Sequence, residues 1–171
     1  MAPALAMGNA VVANPSEFTS AGSVDLAVAC VDWGLPPGLC NVVTGLGEEA
    51  GAALVAHPDV RMVAFTGSVG AGRIIGAKAA ERIIPVNSEL GGKSANIVFD
   101  DCNLDAAVAV TGFTANAGQL CSAGTRLLVQ SGIHDAFVAG LKQTLAEIRV
   151  GGGMPSTRGP IMTAPQFDKV T

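Results

Sequence analysis

Short apolar runs recur along the chain, and each is closed by turn residues. Asn9 to Ala13 ends at Asn14-Pro15, Cys40 to Thr44 ends at Gly45, and Met62 to Thr66 ends at Gly67. Further runs cover 83–90, 96–99 and 126–130. Runs of four to eight apolar and β-branched residues read as buried strands. Between them the pattern changes to helical spacing, and this predicts helices over 20–33, 48–56, from the Gly67–Gly72 loop to 82, over 104–116 and over 133–148. Gly34 with Pro36-Pro37 stops the first of these, and His57-Pro58 stops the second, because proline cannot continue a helix. Strands alternating with helices predict βαβ crossovers and a parallel sheet, a Rossmann-like α/β class.

After Gly91-Gly92 the alternation starts again, so the natural boundary falls there: 1–90 as one domain part and 91–171 as a second α/β part. Both ends read as cut. The first residues run as helix directly into a strand, and the last lie inside the next amphipathic stretch. On this expectation the 171 residues are a central piece of a larger protein.

Composition narrows the class. Hydrophobic residues make up 49% and charged residues 14%, with 22 glycines and a net charge of −4. Net negative charge argues against nucleic acid and anionic membrane as partners. No apolar run reaches the roughly 18–20 residues that span a bilayer, and the N-terminus lacks a basic leader region, so the expected location is the cytoplasm. Cys30, Cys40, Cys102 and Cys121 form no CxxC pair, and with His57 and His134 they give no zinc spacing. No metal is expected. Cys30, Cys40 and Cys102 read as structural thiols.

Cys121 differs in its neighbourhood, Gly118-Gln119-Leu120-Cys121-Ser122-Ala123-Gly124, a small-residue loop between a helix and a strand. Such a loop leaves room for substrate and lets backbone N–H groups approach a developing oxyanion, with Asn116 as a further possible donor. A free cysteine is mostly thiol at neutral pH and needs a local field or base to react. No histidine lies nearby in sequence. Glu89, in Glu89-Leu90-Gly91-Gly92-Lys93, is the candidate base, giving a nucleophile and a separate base for two-step covalent chemistry on a carbonyl. Lys93 reads as a surface lysine. Gly67-Ser68-Val69-Gly70-Ala71-Gly72 follows a strand and opens a helix, a setting suited to phosphate although the spacing is not GxGxxG. Glu17 lies just beyond the first strand, where a carboxylate can accept from ribose hydroxyls and repel a 2′-phosphate.

The ordered set Asn14-Pro15-Ser16-Glu17, Gly34-Leu35-Pro36-Pro37-Gly38, Phe65-Thr66-Gly67-Ser68, Glu89-Leu90-Gly91-Gly92-Lys93 and Gly118-Gln119-Leu120-Cys121 resembles the aldehyde dehydrogenase superfamily. The likeness runs over essentially the whole chain. It implies that Cys121 attacks an aldehyde carbon to give a thiohemiacetal, that hydride leaves to a nicotinamide cofactor, and that Glu89 activates water against the resulting thioester. It also implies a cofactor set of Asn14, Glu17, Gly45, Gly67, Ser68, Gly72, Leu90 and Gly91. Glu17 would take the adenosine ribose, Gly67, Ser68 and Gly72 would lie by the pyrophosphate, and Leu90 would line the nicotinamide site.

Asn14 stands where members usually carry lysine, which together with Glu17 favours NAD over NADP. Partners implied are a small aldehyde and, for the intact parent, copies of itself in a homodimer or homotetramer. The resemblance leaves two alternatives: a CoA-acylating semialdehyde dehydrogenase, and a truncated nucleotide-binding fragment without catalysis. On the same resemblance the upstream Pro-Trp-Asn and downstream Glu-x-Phe-Gly-Pro segments are missing, so the 171 residues alone are expected to be inactive.

Overall fold

The computed structural model describes residues 1–109 and 112–171; of 112 and 113 it describes the backbone. The chain divides into two compact units, Met1–Glu89 and Leu90–Thr171.

The first unit opens with α1 (Ala2–Ala6) and continues through β1 (Val11–Ala13), α2 (Ser20–Asp32) and β2 (Cys40–Val42). β1 and β2 pair in parallel, Val11 opposite Cys40 and Ala13 opposite Val42, with α2 as the crossover. A Schellman closure ends α2: Leu35 N–H donates to the Cys30 carbonyl and Gly34 N–H to that of Val31, at 2.9 Å each. That geometry needs a left-handed residue, and Gly34 supplies it at φ 93°.

The expected helix over 48–56 is two pieces, a π turn over Gly47–Gly51 and then α3 (Ala52–Ala56), with Val55 as its buried residue. β3 (Val63–Gly67) then leads into α4 (Val69–Ala80), and β4 (Val86–Leu90) pairs with β3. β4 is shorter than the strand expected over 83–90. Ile84 N–H bonds the Ala79 carbonyl and Ile83 N–H that of Ala80, so these residues close α4 instead of starting a strand. Arg82 locks this corner from the side. Its guanidinium donates to the carbonyls of Val55, Pro58 and Val60 at 3.0, 2.8 and 2.8 Å.

In the second unit β5 (Ala95–Val98) pairs in parallel with β6 (Arg126–Val129). Between them lie α5 (Leu104–Ala109) and a 3₁₀ stretch over Gly112–Gly118. The helix expected over 104–116 therefore does not continue to 116, and residues 110 and 111 fall outside the described part. Asn103 caps α5, its Oδ1 accepting from Ala106 N–H at 3.0 Å. α6 (His134–Ala146) covers the pair, with fully buried Phe137 packed into a cluster with Val98 and Val108. α7 (Ala164–Val170) starts at Thr163, whose side chain accepts from Gln166 N–H. The α/β class and the parallel pairing of β1 with β2 and of β5 with β6 follow the sequence pattern, and among the described residues the strands pair two by two. Among the described residues no helix is long and apolar enough to cross a membrane.

Candidate functional site

In the first unit the predicted cofactor residues lie where strands end. β1 and β2 run parallel, so Asn14 and Gly45 follow the same edge of that pair. They touch: Asn14 Nδ2 donates to the Val43 carbonyl at 2.9 Å and to the Gly45 carbonyl at 3.3 Å. Gly45 has φ +148°, and a Cβ there would meet the Ala50 side chain at 3.0 Å, so the close approach needs glycine. Asn14 is thus tied to backbone. Glu17 is exposed.

Gly67 is the last residue of β3, and a Cβ on it would meet the Phe65 ring at 2.6 Å. Ser68 is the N-cap of α4, its Oγ accepting from Ala71 N–H at 3.1 Å. Gly72 is buried in the first turn, its N–H on the Ser68 carbonyl at 2.9 Å. The N–H groups of Val69 and Gly70 precede the first helical bond and have no acceptor in the helix. Gly70 has only the Ser68 Oγ near its Cβ direction, at 3.9 Å, which leaves that end of the helix open. Glu89 is exposed near the end of β4.

The second unit holds Leu90, half-buried, and Gly91, exposed. Lys93 is exposed, and its Nζ donates to the Gly92 carbonyl at 3.3 Å. Cys121 is an exposed free thiol. The backbone leading to it is unusual: Asn116 and Ala117 have φ 52° and 55°, followed by Gly118 at 75°. Non-glycine residues adopt left-handed backbone only at a cost of about 1–2 kcal/mol each, which surrounding contacts must offset.

Beyond the cysteine the chain is pinned. Ala123 is buried, its N–H bonds the Leu120 carbonyl at 3.3 Å, and Thr125 N–H bonds the Ala123 carbonyl at 2.8 Å. A Cβ on Gly124 would meet that of Asn96 at 3.0 Å, so glycine lets this loop lie against β5. Asn116, expected as a possible oxyanion donor, gives its Nδ2 to the Gln119 carbonyl at 3.3 Å.

Sequence reasoning missed the side chains that hold these loops, Arg82, Gln119 and Arg158. Gln119 stood in the cysteine motif, but nothing local marked its partners. His57 and His134 are exposed. His57 Nδ1 accepts from Asp59 N–H at 3.2 Å, and His134 pairs with the neighbouring Asp135. Burial, and then the neighbouring Cys40 thiol, push the Cys30 thiol above its ordinary pKa.

The model of the aldehyde dehydrogenase family matches residues 1–171, the whole chain. This chain belongs to the aldehyde dehydrogenase family. A betaine aldehyde dehydrogenase of Cereibacter sphaeroides is 49% identical over 173 residues, a match covering 99% of this chain and 36% of that protein. The crystal structure of an NAD-dependent aldehyde dehydrogenase from Sinorhizobium meliloti superposes with a TM-score of 0.89 at 43% identity, over 94% of this chain and 33% of the other. PnpE, known from Pseudomonas sp. WBC-3, superposes in its complex with nicotinamide adenine dinucleotide with a TM-score of 0.92 at 40% identity, over 98% of this chain and 35% of the other. The chain therefore spans a little over a third of the length of the curated aldehyde dehydrogenases it matches.

Proposed function

We propose that the whole protein oxidises an aldehyde to a carboxylic acid with NAD⁺, using Cys121 as nucleophile and Glu89 as the base for the second step. The observation that carries this reading is a family match spanning residues 1–171, which include Glu89 and an exposed Cys121. Most of the cofactor residues fall in 1–90 and the nucleophile in 91–171, with Glu89, Leu90 and Gly91 at the boundary.

The first unit fits a dinucleotide. The open start of α4, with Ser68 as cap and no side chain on Gly70, offers free N–H groups and the positive end of a helix to a pyrophosphate. Glu17 offers an exposed carboxylate to ribose hydroxyls and opposes a 2′-phosphate. The Asn14 amide is engaged by Val43 and Gly45 and brings no cation to offset that opposition. NAD⁺ is favoured over NADP⁺ on both counts. Bound NAD⁺ would supply the hydride acceptor that turns an adduct on Cys121 into a thioester.

The chain's own residues do the rest. The Cys121 thiolate attacks the aldehyde carbon, and the small loop around it leaves space for the tetrahedral oxyanion. Glu89 takes a proton from water, the hydroxide formed attacks the thioester carbonyl, and the thiolate leaves as the acid is released. The relatives' names make betaine aldehyde the first substrate to try. NADH formation and acid release are measured with and without CoA, in the wild type and in Cys121→Ala. Acid formed without CoA and abolished in the variant supports the reading. Strict CoA dependence would establish acyl transfer to CoA instead, and unchanged turnover in Cys121→Ala would remove the covalent mechanism.

A further inference from the structure

Gln119 is bonded through both ends of its side-chain amide. Its Nε2 donates to the Asn116 carbonyl at 3.1 Å and to the Pro160 carbonyl at 3.4 Å, while its Oε1 accepts from Met162 N–H at 3.0 Å. The Asn116 carbonyl also takes the Gln119 backbone N–H at 3.1 Å, and the Asn116 side chain returns a bond to the Gln119 carbonyl at 3.3 Å. One amide therefore closes the left-handed turn over Asn116–Gly118 and straps it to Pro160–Met162. A second strap runs alongside, from Arg158 Nε to the Thr114 carbonyl at 3.0 Å. The strapped turn ends three residues before Cys121.

We propose that Gln119 is a positioning residue for Cys121: its amide holds the left-handed turn that aims the thiol, using the Pro160–Met162 segment as anchor. This inference rests on Cys121 being the nucleophile. Neither Asn116 nor Ala117 has an intrinsic preference strong enough to keep three consecutive left-handed residues, so the turn needs external bonds to persist. Glutamine is suited to the task because it carries two donors and an acceptor at one tip. A carboxylate would lose the donors to Asn116 and Pro160, and an apolar side chain would lose all three bonds.

The test uses the whole protein with Gln119→Ala and with Gln119→Met, the second keeping side-chain length without the amide. Three quantities are read: kcat, KM for NAD⁺, and the rate of iodoacetamide alkylation at Cys121 followed by peptide mass in the absence of cofactor. Displacement of a reacting group by about an ångström costs up to about 100-fold. In both variants kcat is expected to fall about 10- to 100-fold and the Cys121 alkylation rate to change at least about threefold. KM for NAD⁺ stays within about twofold, since the cofactor residues of the first unit are untouched.

Unchanged kcat and alkylation in both variants overturn the proposal. So does a loss of activity that only parallels a loss of folded protein in both, because the side chain would then hold the fold and not the thiol. Cys121→Ala separates the two levels. An active Cys121→Ala enzyme defeats the nucleophile assignment itself, whereas an inactive one beside unaffected Gln119 variants defeats the positioning role alone.

Discussion

Ile83 holds a backbone conformation that its own side chain disfavours. It is β-branched, has φ 55° and is 92% exposed, so nothing packed around it compensates. The sequence pattern made it the first residue of a strand because isoleucine favours strands. The α4 closure instead required a left-handed residue there, and tertiary context overrode the propensity. Ile83→Gly is expected to raise stability by about 1 kcal/mol, read as a higher denaturant midpoint with an unchanged slope.

The Arg82 clamp beside it was invisible in sequence for a different reason. Its acceptors are backbone carbonyls 22 to 27 residues away, and no side-chain motif marks a carbonyl. Removing it in Arg82→Ala leaves three carbonyls without that donor and is expected to cost about 2 kcal/mol. Gln119 was obscured in the same way, its anchors lying 41 and 43 positions on.

The thiols separate by environment. The Cys30 pKa is raised, first by burial and then by Cys40, so its thiol persists to higher pH than an ordinary cysteine. A raised acid pKa stabilises the fold fully below the unfolded value, and that stabilisation is lost as pH rises through the folded value. Site-resolved alkylation near pH 8 should therefore label exposed Cys121 well ahead of Cys30, which catches up only in more alkaline buffer.

Among the elements, the strands and the start of α4 were readable in advance. The β1–β2 and β5–β6 pairs follow apolar runs separated by helices, and the glycine-rich loop after a strand marked a helix start, though not Ser68 as its cap. The region before Cys121 was not readable. Ala-rich sequence there predicts helix by propensity, yet α5 ends at Ala109 and the backbone turns left-handed at Asn116. Local preference gives way to bonds made across the unit. The second unit's core is legible from the α6 pattern, and Phe137 is its centre. Phe137→Ala should cost about 3–5 kcal/mol, measured by thermal or denaturant unfolding, because it empties the space between Val98 and Val108.

On the scale of the molecule, the chain carries the family's motifs over about a third of the relatives' length. The exposed apolar residues accord with that share. α2 has no buried residue, Val28 on it is 55% exposed, and Trp33 just after it is 85% exposed. Large exposed apolar surface marks a region that another surface covers. The 171-residue polypeptide alone is expected to bind a hydrophobic dye strongly and to associate with rising concentration, measured by fluorescence and light scattering.

In the reaction proposed for the whole protein, an acyl group passes through Cys121 and is released by water that Glu89 activates. Its most direct test is rapid-quench mass spectrometry of Glu89→Gln mixed with aldehyde and NAD⁺, with slowed hydrolysis letting the intermediate accumulate. One equivalent of NADH is expected in the first turnover, with an acyl mass on the peptide that contains Cys121. NADH formed with no acyl mass on that peptide would contradict it.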